Sequence, residues 1–263
     1  ERAFNNCIKL KEIIFMPNSE LKIIGKYSFS CTSIESITIP SHVKQICKYT
    51  FNSCTKLKEI IFLPNSELQI IEKFAFNESS IESITIPSHV KKICEYAFNS
   101  CTKLKEILFP QNSELQIIEK YAFVDSSIEK ITIPSSTIEL KEGWCSGTSN
   151  LIDINVSQNN PKYSLYEDKM IIGKSSTEIS NYDILVFCIR NIESVIIPSF
   201  IKVIEMCAFE NCTELQDIEI PTNSELQIIG EFAFSNTSIQ NITIPSKLIE
   251  LKNEWCENTI YLN

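Results

Sequence analysis

The sequence predicts a repeat solenoid, and three observations carry that expectation. A 20-residue segment recurs almost unchanged, FNSCTKLKEIIFLPNSELQI at 51–70 and FNSCTKLKEILFPQNSELQI at 98–117, a shift of 47 residues. The intervening pieces match as well, since IESITIPSHV stands at both 34–43 and 81–90. Each 47-residue unit divides into two similar halves, so strand-like starts fall at Leu10, Ile34, Leu57, Ile81, Leu104, Ile128, Leu151, Ile192, Leu215 and Ile239. Their gaps are 23 or 24 residues, apart from one of 41. A fixed period of this size marks stacked supersecondary units. It predicts a single repeat domain over 1–263, with about ten coils of 23 residues.

Each part of a coil has its own signal. In Ile34-Glu35-Ser36-Ile37-Thr38-Ile39, Ile37 and Ile39 point one way and Ser36 and Thr38 the other, as a half-buried strand requires. One coil cannot bury its own apolar edge, so neighbours must stack and their strands align into a long parallel sheet on one face. Pro40, Pro87, Pro134, Pro198, Pro221 and Pro245 follow the strand and stop its ladder. The next apolar pair (Val43/Ile46, Leu68/Ile71, Val90/Ile93, Leu115/Ile118) reads as a short return strand on the opposite face. An aromatic column then recurs at Phe4, Phe29, Phe51, Phe76, Phe98, Phe123, Trp144, Phe209, Phe234 and Trp255. It is expected to stack under short helical turns such as Lys73-Phe74-Ala75-Phe76.

Two regions depart from the period. The 41-residue gap holds a hairpin-like insertion over 157–190, with apolar runs at 169–173 and 183–189. Both termini fall inside a coil, because Glu1-Arg2-Ala3-Phe4 matches the late part of a repeat and the tail stops where a next strand would begin. Solenoids shield their ends with caps, so the chain reads as a fragment whose signal peptide and any anchor lie outside it. Its open end coils are candidates for self-association.

Composition excludes several function classes. Lys and Arg number 24 against 33 Asp and Glu, a net charge of −9. Such a chain is a poor partner for nucleic-acid phosphates or anionic lipid, so neither nucleic acid nor a membrane is an expected contact. Five scattered glycines cannot build a phosphate-cradling loop. Only two histidines are present, His42 and His89, at the same repeat position. Two coils separate them by about 9.6 Å, too far to share one zinc. No cofactor, metal or catalytic residue is expected.

The unit L-x-x-I-x-I-P…I…A-F…C, recurring ten times, closely resembles the BspA-like, or treponemal-type, leucine-rich repeat. That resemblance implies a right-handed leucine-rich-repeat superhelix without enzyme activity. It also implies a cell-surface or secreted protein of bacteria or of anaerobic protists such as trichomonads. The Ile, Asn and Lys richness would suit an AT-rich protist genome. Family members imply an adhesin that binds host cells, matrix proteins or other microbes through a protein partner. The alternative is an intracellular interaction scaffold, which eleven reduced cysteines would suit.

The sheet face is the first candidate site. By register, outward columns run through Glu12, Glu59, Glu106 and Asp153 and through Ile14, Ile61 and Leu108. Acidic side chains therefore alternate with exposed apolar ones, and an apolar stripe on a surface marks a contact site. The cysteines follow the repeat, with Cys7, Cys54 and Cys101 spaced by 47. Equivalent positions two coils apart exceed the roughly 7 Å Cα limit for a disulfide. Pairing within one coil stays open for Cys47 with Cys54, Cys94 with Cys101 and Cys207 with Cys212. Buried free thiols are the favoured reading. Five glycosylation sequons stand at Asn77, Asn155, Asn211, Asn236 and Asn241.

Overall fold

The computed structural model describes residues 1–16, 18–176, 178–259 and 262. They form two compact units, Glu1–Thr148 and Ser149–Asn263. Each is a parallel β-solenoid.

In the first unit, one face is built from the predicted L-x-x-I-x-I strands. Ser36–Ile39 pairs in parallel with Glu59–Phe62, placing Ser36 opposite Glu59 and Thr38 opposite Ile61. Ser83–Thr85, Glu106–Leu108 and Lys130–Ile133 repeat the arrangement, with Glu106 opposite both Ser83 and Lys130. Inward residues such as Ile37, Ile60, Ile84, Ile107 and Ile131 are buried, and outward ones are open. The return face holds six two-residue strands in parallel order: Ile23–Ile24, Gln45–Ile46, Ile70–Ile71, Lys92–Ile93, Ile117–Ile118 and Glu139–Leu140.

The turn between the faces differs from the sequence expectation. No helix occurs among the described residues, and 73–76 is not a helical turn. Two residues in each turn, four apart, have left-handed φ: Tyr49 and Ser53 (59° and 52°), Phe74 and Glu78 (57° and 54°), Tyr96 and Ser100 (58° and 53°). A left-handed residue breaks an α-helix, and at a non-glycine position costs about 1–2 kcal/mol. What offsets it is a third ladder. Alternate amides of the turn point at the next coil, with Phe51 N–H donating to Ala75 O at 2.7 Å and Ser53 N–H to Asn77 O at 2.7 Å. Phe76 and Phe98 repeat the pattern onto Ala97 and Ala122 at 2.8 Å each. A helix would have directed these donors along its own axis and left the next coil unpaired. Where the last turn of the unit reaches its second left-handed position, Gly147 stands there, since a Cβ would lie 2.1 Å from Asp125 Oδ1.

The aromatic column stacks as expected. Ring centroids from Phe4 through Phe29, Phe51, Phe76 and Phe98 to Phe123 are 5.1–5.5 Å apart, and Trp144 closes the column edge-on at 6.1 Å. A second column, absent from the sequence reading, runs beside it through Tyr27, Tyr49, Phe74, Tyr96 and Tyr121 at 4.7–5.3 Å. It uses the first left-handed position of each turn, which aims these rings along the row.

The expected strands of the first and last coils do not form. Residues 10–16 and 239–245 carry no strand, so eight of the ten starts do. Each of these segments has a neighbouring coil on one side only among the described residues, so half of its ladder is missing.

The second unit begins with Asp153–Val156 and then departs from the repeat. Tyr163–Tyr166 and Met170–Gly173 form an antiparallel hairpin, and Ile184–Cys188 adds antiparallel to Met170–Gly173. Ile184–Cys188 also pairs in parallel with Val203–Ile204, which continues through Ile228–Ile229 to Glu250–Leu251. The segment between coils thus supplies its own return strand. It has no Ala-Phe turn, yet Cys188 N–H still donates to Ala208 O at 2.9 Å, and Arg190 adds side-chain donors to the same row. Its guanidinium lies over the Phe187 ring at 4.3 Å and donates to Ala208 O and Cys207 O at 3.1 and 3.2 Å.

Phe98 is fully buried between two stacked rings. Phe98→Ala is expected to cost about 3–5 kcal/mol of stability. Phe4→Ala, at a ring 40% exposed, should cost a fraction of that. Urea denaturation followed by circular dichroism measures both.

Candidate functional site

The open face of the first unit's strands brings most of the predicted contact residues together. Glu59 and Ile61 lie on one strand and Glu106 and Leu108 on another two coils on. Ile61 and Leu108 are 43% and 44% exposed although they sit in strand positions. Glu12 and Ile14 occupy the equivalent places in the strandless first coil, where Ile14 is 75% exposed. Asp153 belongs to the second unit, exposed at the head of Asp153–Val156.

Two grooves with the same chemistry open on this face. The first, of about 720 Å³, is lined by Glu12, Ile14, Met16, Glu20, Thr38, His42 and Leu63 among others. The second, of about 580 Å³, is lined by Glu59, Ile61, Leu63, Thr85, His89 and Pro110 among others. The 47-residue period therefore repeats a binding-sized concavity as well as a sequence. Leu63 and Met16 are exposed apolar walls that sequence reasoning missed. Their signal was the apolar residue standing after the strand where other coils have Pro.

The histidines edge these grooves through fixed pairs. His42 Nδ1 lies 2.8 Å from Glu67 Oε1 and His89 Nδ1 lies 2.9 Å from Glu114 Oε1. Lys44 Nζ reaches the other Glu67 oxygen at 3.3 Å. The hydrogen bond from His42, then that from Lys44, holds the Glu67 carboxyl below its ordinary value. Among the described residues, no three His, Cys, Asp or Glu side chains come together to hold a metal ion.

The second unit has its own groove of about 560 Å³ on the strand face of Ser194–Ile196 and Asp217–Glu219. Glu167 and Lys169, at the tip of the hairpin, help to line it. Periodicity alone could not place them, because they lie in the interruption of the repeat.

Cys54 and Cys101 are buried structural donors. Cys54 Sγ donates to Phe29 O at 3.0 Å, and Cys101 Sγ to Phe76 O at 3.1 Å. Thr259 places a hydroxyl on the equivalent carbonyl, Phe234 O, at 2.8 Å, while Thr32 and Thr237 donate to the phenylalanine carbonyl of their own coil at 2.8 and 2.9 Å. The Cys/Ser/Thr interchange at this repeat position therefore preserves a donor, which a reading as apolar filler does not capture. Burial, the largest cause, pushes the Cys54 thiol up to about 11 and the Cys101 thiol up to about 12. A thiolate nucleophile is disfavoured at both. A neighbouring row of amides accounts for some of the sequons. Asn77 is buried, and its Nδ2 donates to Asn52 Oδ1 at 2.6 Å while Asn99 donates to its own Oδ1. Asn236 donates to Asn211 at 3.0 Å. A glycan on Asn77 or Asn236 would break this ladder, whereas Asn155 and Asn241 are exposed.

This geometry, parallel coils of 23–24 residues carrying an L-x-x-I-x-I strand, defines a leucine-rich-repeat solenoid. A family model for the BspA type leucine rich repeat region matches six copies over residues 1–88, 69–171 and 162–263, and the chain belongs to that family. Among solved structures, the pneumococcal vaccine antigen PcpA superposes with a TM-score of 0.78 at 24% identity. The match covers 92% of this chain and 66% of that one. A leucine-rich repeat protein from Eubacterium ventriosum gives 0.67 at 22% identity, over 87% of this chain and 71% of that one. A leucine rich cell surface protein from Faecalibacterium prausnitzii gives 0.62 at 21%, over 92% and 76%. At these identities the likeness is one of fold. Curated protein sequences gave no match.

The raised thiols make stability pH-dependent. Above pH 9 the unfolded chain releases thiol protons that the folded chain keeps. Stabilisation is therefore complete below about pH 9 and is lost as pH rises towards the folded-state values. Cys54 and Cys101 should each cost roughly 1–1.5 kcal/mol between pH 8 and pH 10. In Cys54→Ser/Cys101→Ser, which keeps both donors, the decline should be roughly 2–3 kcal/mol shallower. Urea titrations at the two pH values measure it.

Proposed function

We propose that this chain is the protein-binding part of a cell-surface or secreted adhesin and engages its partner through the strand face of the first unit. The single observation behind this reading is the row of exposed Ile14, Ile61 and Leu108 set among Glu12, Glu59 and Glu106 on a face left open by the described residues. Apolar side chains at the centre of a patch supply contact energy, and charges around them supply orientation and choice of partner. A cationic surface on the partner fits the three carboxylates. Family membership supports a repeat domain of the protein-interaction kind, and likeness to a vaccine antigen and to a cell surface protein supports a surface location. Asp153 offers a further acidic contact on the second unit.

Adhesion to host cells, matrix proteins or other microbes is the activity this reading assigns. The test is binding of the purified chain to intact epithelial cells and to immobilised matrix proteins. Ile61→Glu/Leu108→Glu runs beside it, since both side chains point outward and the fold should survive. Saturable binding that falls at least about tenfold in the variant is the expected result, matching loss of a buried contact of about 1.4 kcal/mol or more. Unchanged binding in the folded variant would move the site off this face.

A further inference from the structure

The first unit's face carries a chemical period of its own, and that period selects a ligand conformation. Exposed apolar residues occur on alternate coils (Ile14, Ile61, Leu108), with Thr38 and Thr85 on the coils between. The observed register sets the two types side by side within each repeat, with Thr38 opposite Ile61 and Thr85 opposite Leu108. Carboxylates follow the same rule at Glu12, Glu59 and Glu106, with Ser36 opposite Glu59 and Ser83 opposite Glu106. Coils in a parallel ladder rise by about 4.8 Å, so identical chemistry returns about every 9.6 Å along the stacking direction.

A peptide lying along that direction contacts each repeat in the same way only if its own period matches. A β-strand returns a side chain to one face about every 6.7 Å, and twice that is about 13.4 Å. An α-helix returns one after seven residues, about 10.5 Å, and falls nearly 2 Å out of step over two repeats. A polyproline II helix returns one after three residues, about 9.3 Å, and stays within about 0.6 Å over the same span. It also has no internal hydrogen bonds, so its carbonyls are free to accept from exposed hydroxyls such as those of Thr38 and Thr85.

We infer that the strand face of the first unit binds a polyproline II segment of a partner protein that carries a cationic residue at every third position. The segment runs along the stacking direction. Its Lys or Arg side chains meet Glu59 and Glu106 in turn, and its proline rings lie on Ile61 and Leu108. Among the described residues, the acidic or basic side chains lining the two grooves are Glu12, Glu20 and Glu59, beside His42 and His89, and Glu106 lies beyond them opposite Lys130, so the charge that fits the grooves is positive. This inference rests on the strand face being the binding surface and adds the conformation and spacing of what it binds.

The test uses fluorescein-labelled peptides and anisotropy at about 0.15 M salt with the whole chain. One peptide is four repeats of Arg-Pro-Pro. Its control has the same twelve residues with the four arginines contiguous. The expected result is at least tenfold tighter binding of the periodic peptide, with that preference lost in Glu59→Gln/Glu106→Gln. Both variants keep their side-chain shape, and circular dichroism verifies the fold. Equal affinity for the two peptides would show charge without spacing and overturns the inference. So does failure of both to bind. If either negative result accompanies an intact effect of Ile61→Glu/Leu108→Glu on cell or matrix binding, the strand face stands as the binding surface and only the ligand is wrong.

Discussion

The constraint on which the rest depends is that stacked coils satisfy their neighbours at up to three places with one spacing. Strand amides, return-strand amides and turn amides all donate to the adjacent coil, so none of the three can drift without breaking the other two. The stacked rings show how tight this is, since neighbouring centroids along the inner column of the first unit stay at 5.1–5.5 Å from Phe4 to Phe123. Residues in left-handed φ are tolerated in each turn because they aim donors at the neighbour. The same logic explains the buried ladders. A thiol, a hydroxyl or an asparagine amide is acceptable inside a coil when the coil beside it supplies the matching acceptor.

Much of this was legible in the sequence, and the reason is physical. Period-2 alternation in 34–39 and its copies can bury only one face, so strand position and inward side followed directly. The phenylalanine column was legible because a large ring that recurs at one place in every coil must meet its copies. The turn was misread. Lys73-Phe74-Ala75-Phe76 has helix-compatible composition, and local propensity cannot see that the next coil needs its amides. The second ring column was missed for the same reason, since Tyr27, Tyr49 and Phe74 stack only once the left-handed turn has rotated them outward. The strands expected at Leu10 and Ile239 did not form, although the return strands Ile23–Ile24 and Glu250–Leu251 pair with a single neighbour, because a pattern states only what a segment could pair with.

The candidate site divides along the same line. Ile61 and Leu108 could be named from register alone, because an apolar residue at an outward position of a strand is exposed wherever the strand is. Groove walls could not be, since Leu63 and His42 come from stretches outside the strand, and Glu167 and Lys169 come from the segment where the repeat is interrupted. That segment shows how a solenoid absorbs an irregularity. Ile184–Cys188 restores the return ladder, Cys188 N–H keeps the turn's bond to the next coil at Ala208 O, and Arg190 adds two side-chain donors beside it. The repeat is thus conserved in its hydrogen bonds even where its sequence is lost.

A ladder of this kind makes the strand face rigid, and rigidity is what allows a surface of spaced carboxylates and apolar side chains to discriminate among partners. Native-state hydrogen exchange of the free chain tests that claim most directly. The turn amides of Phe51, Ser53, Phe76 and Phe98 should exchange as slowly as the strand-face amide of Ile86, because all are bonded to the next coil. Turn amides that exchange at the rate of open loops while the strands stay protected would contradict it, and would leave the coils joined by their sheets alone.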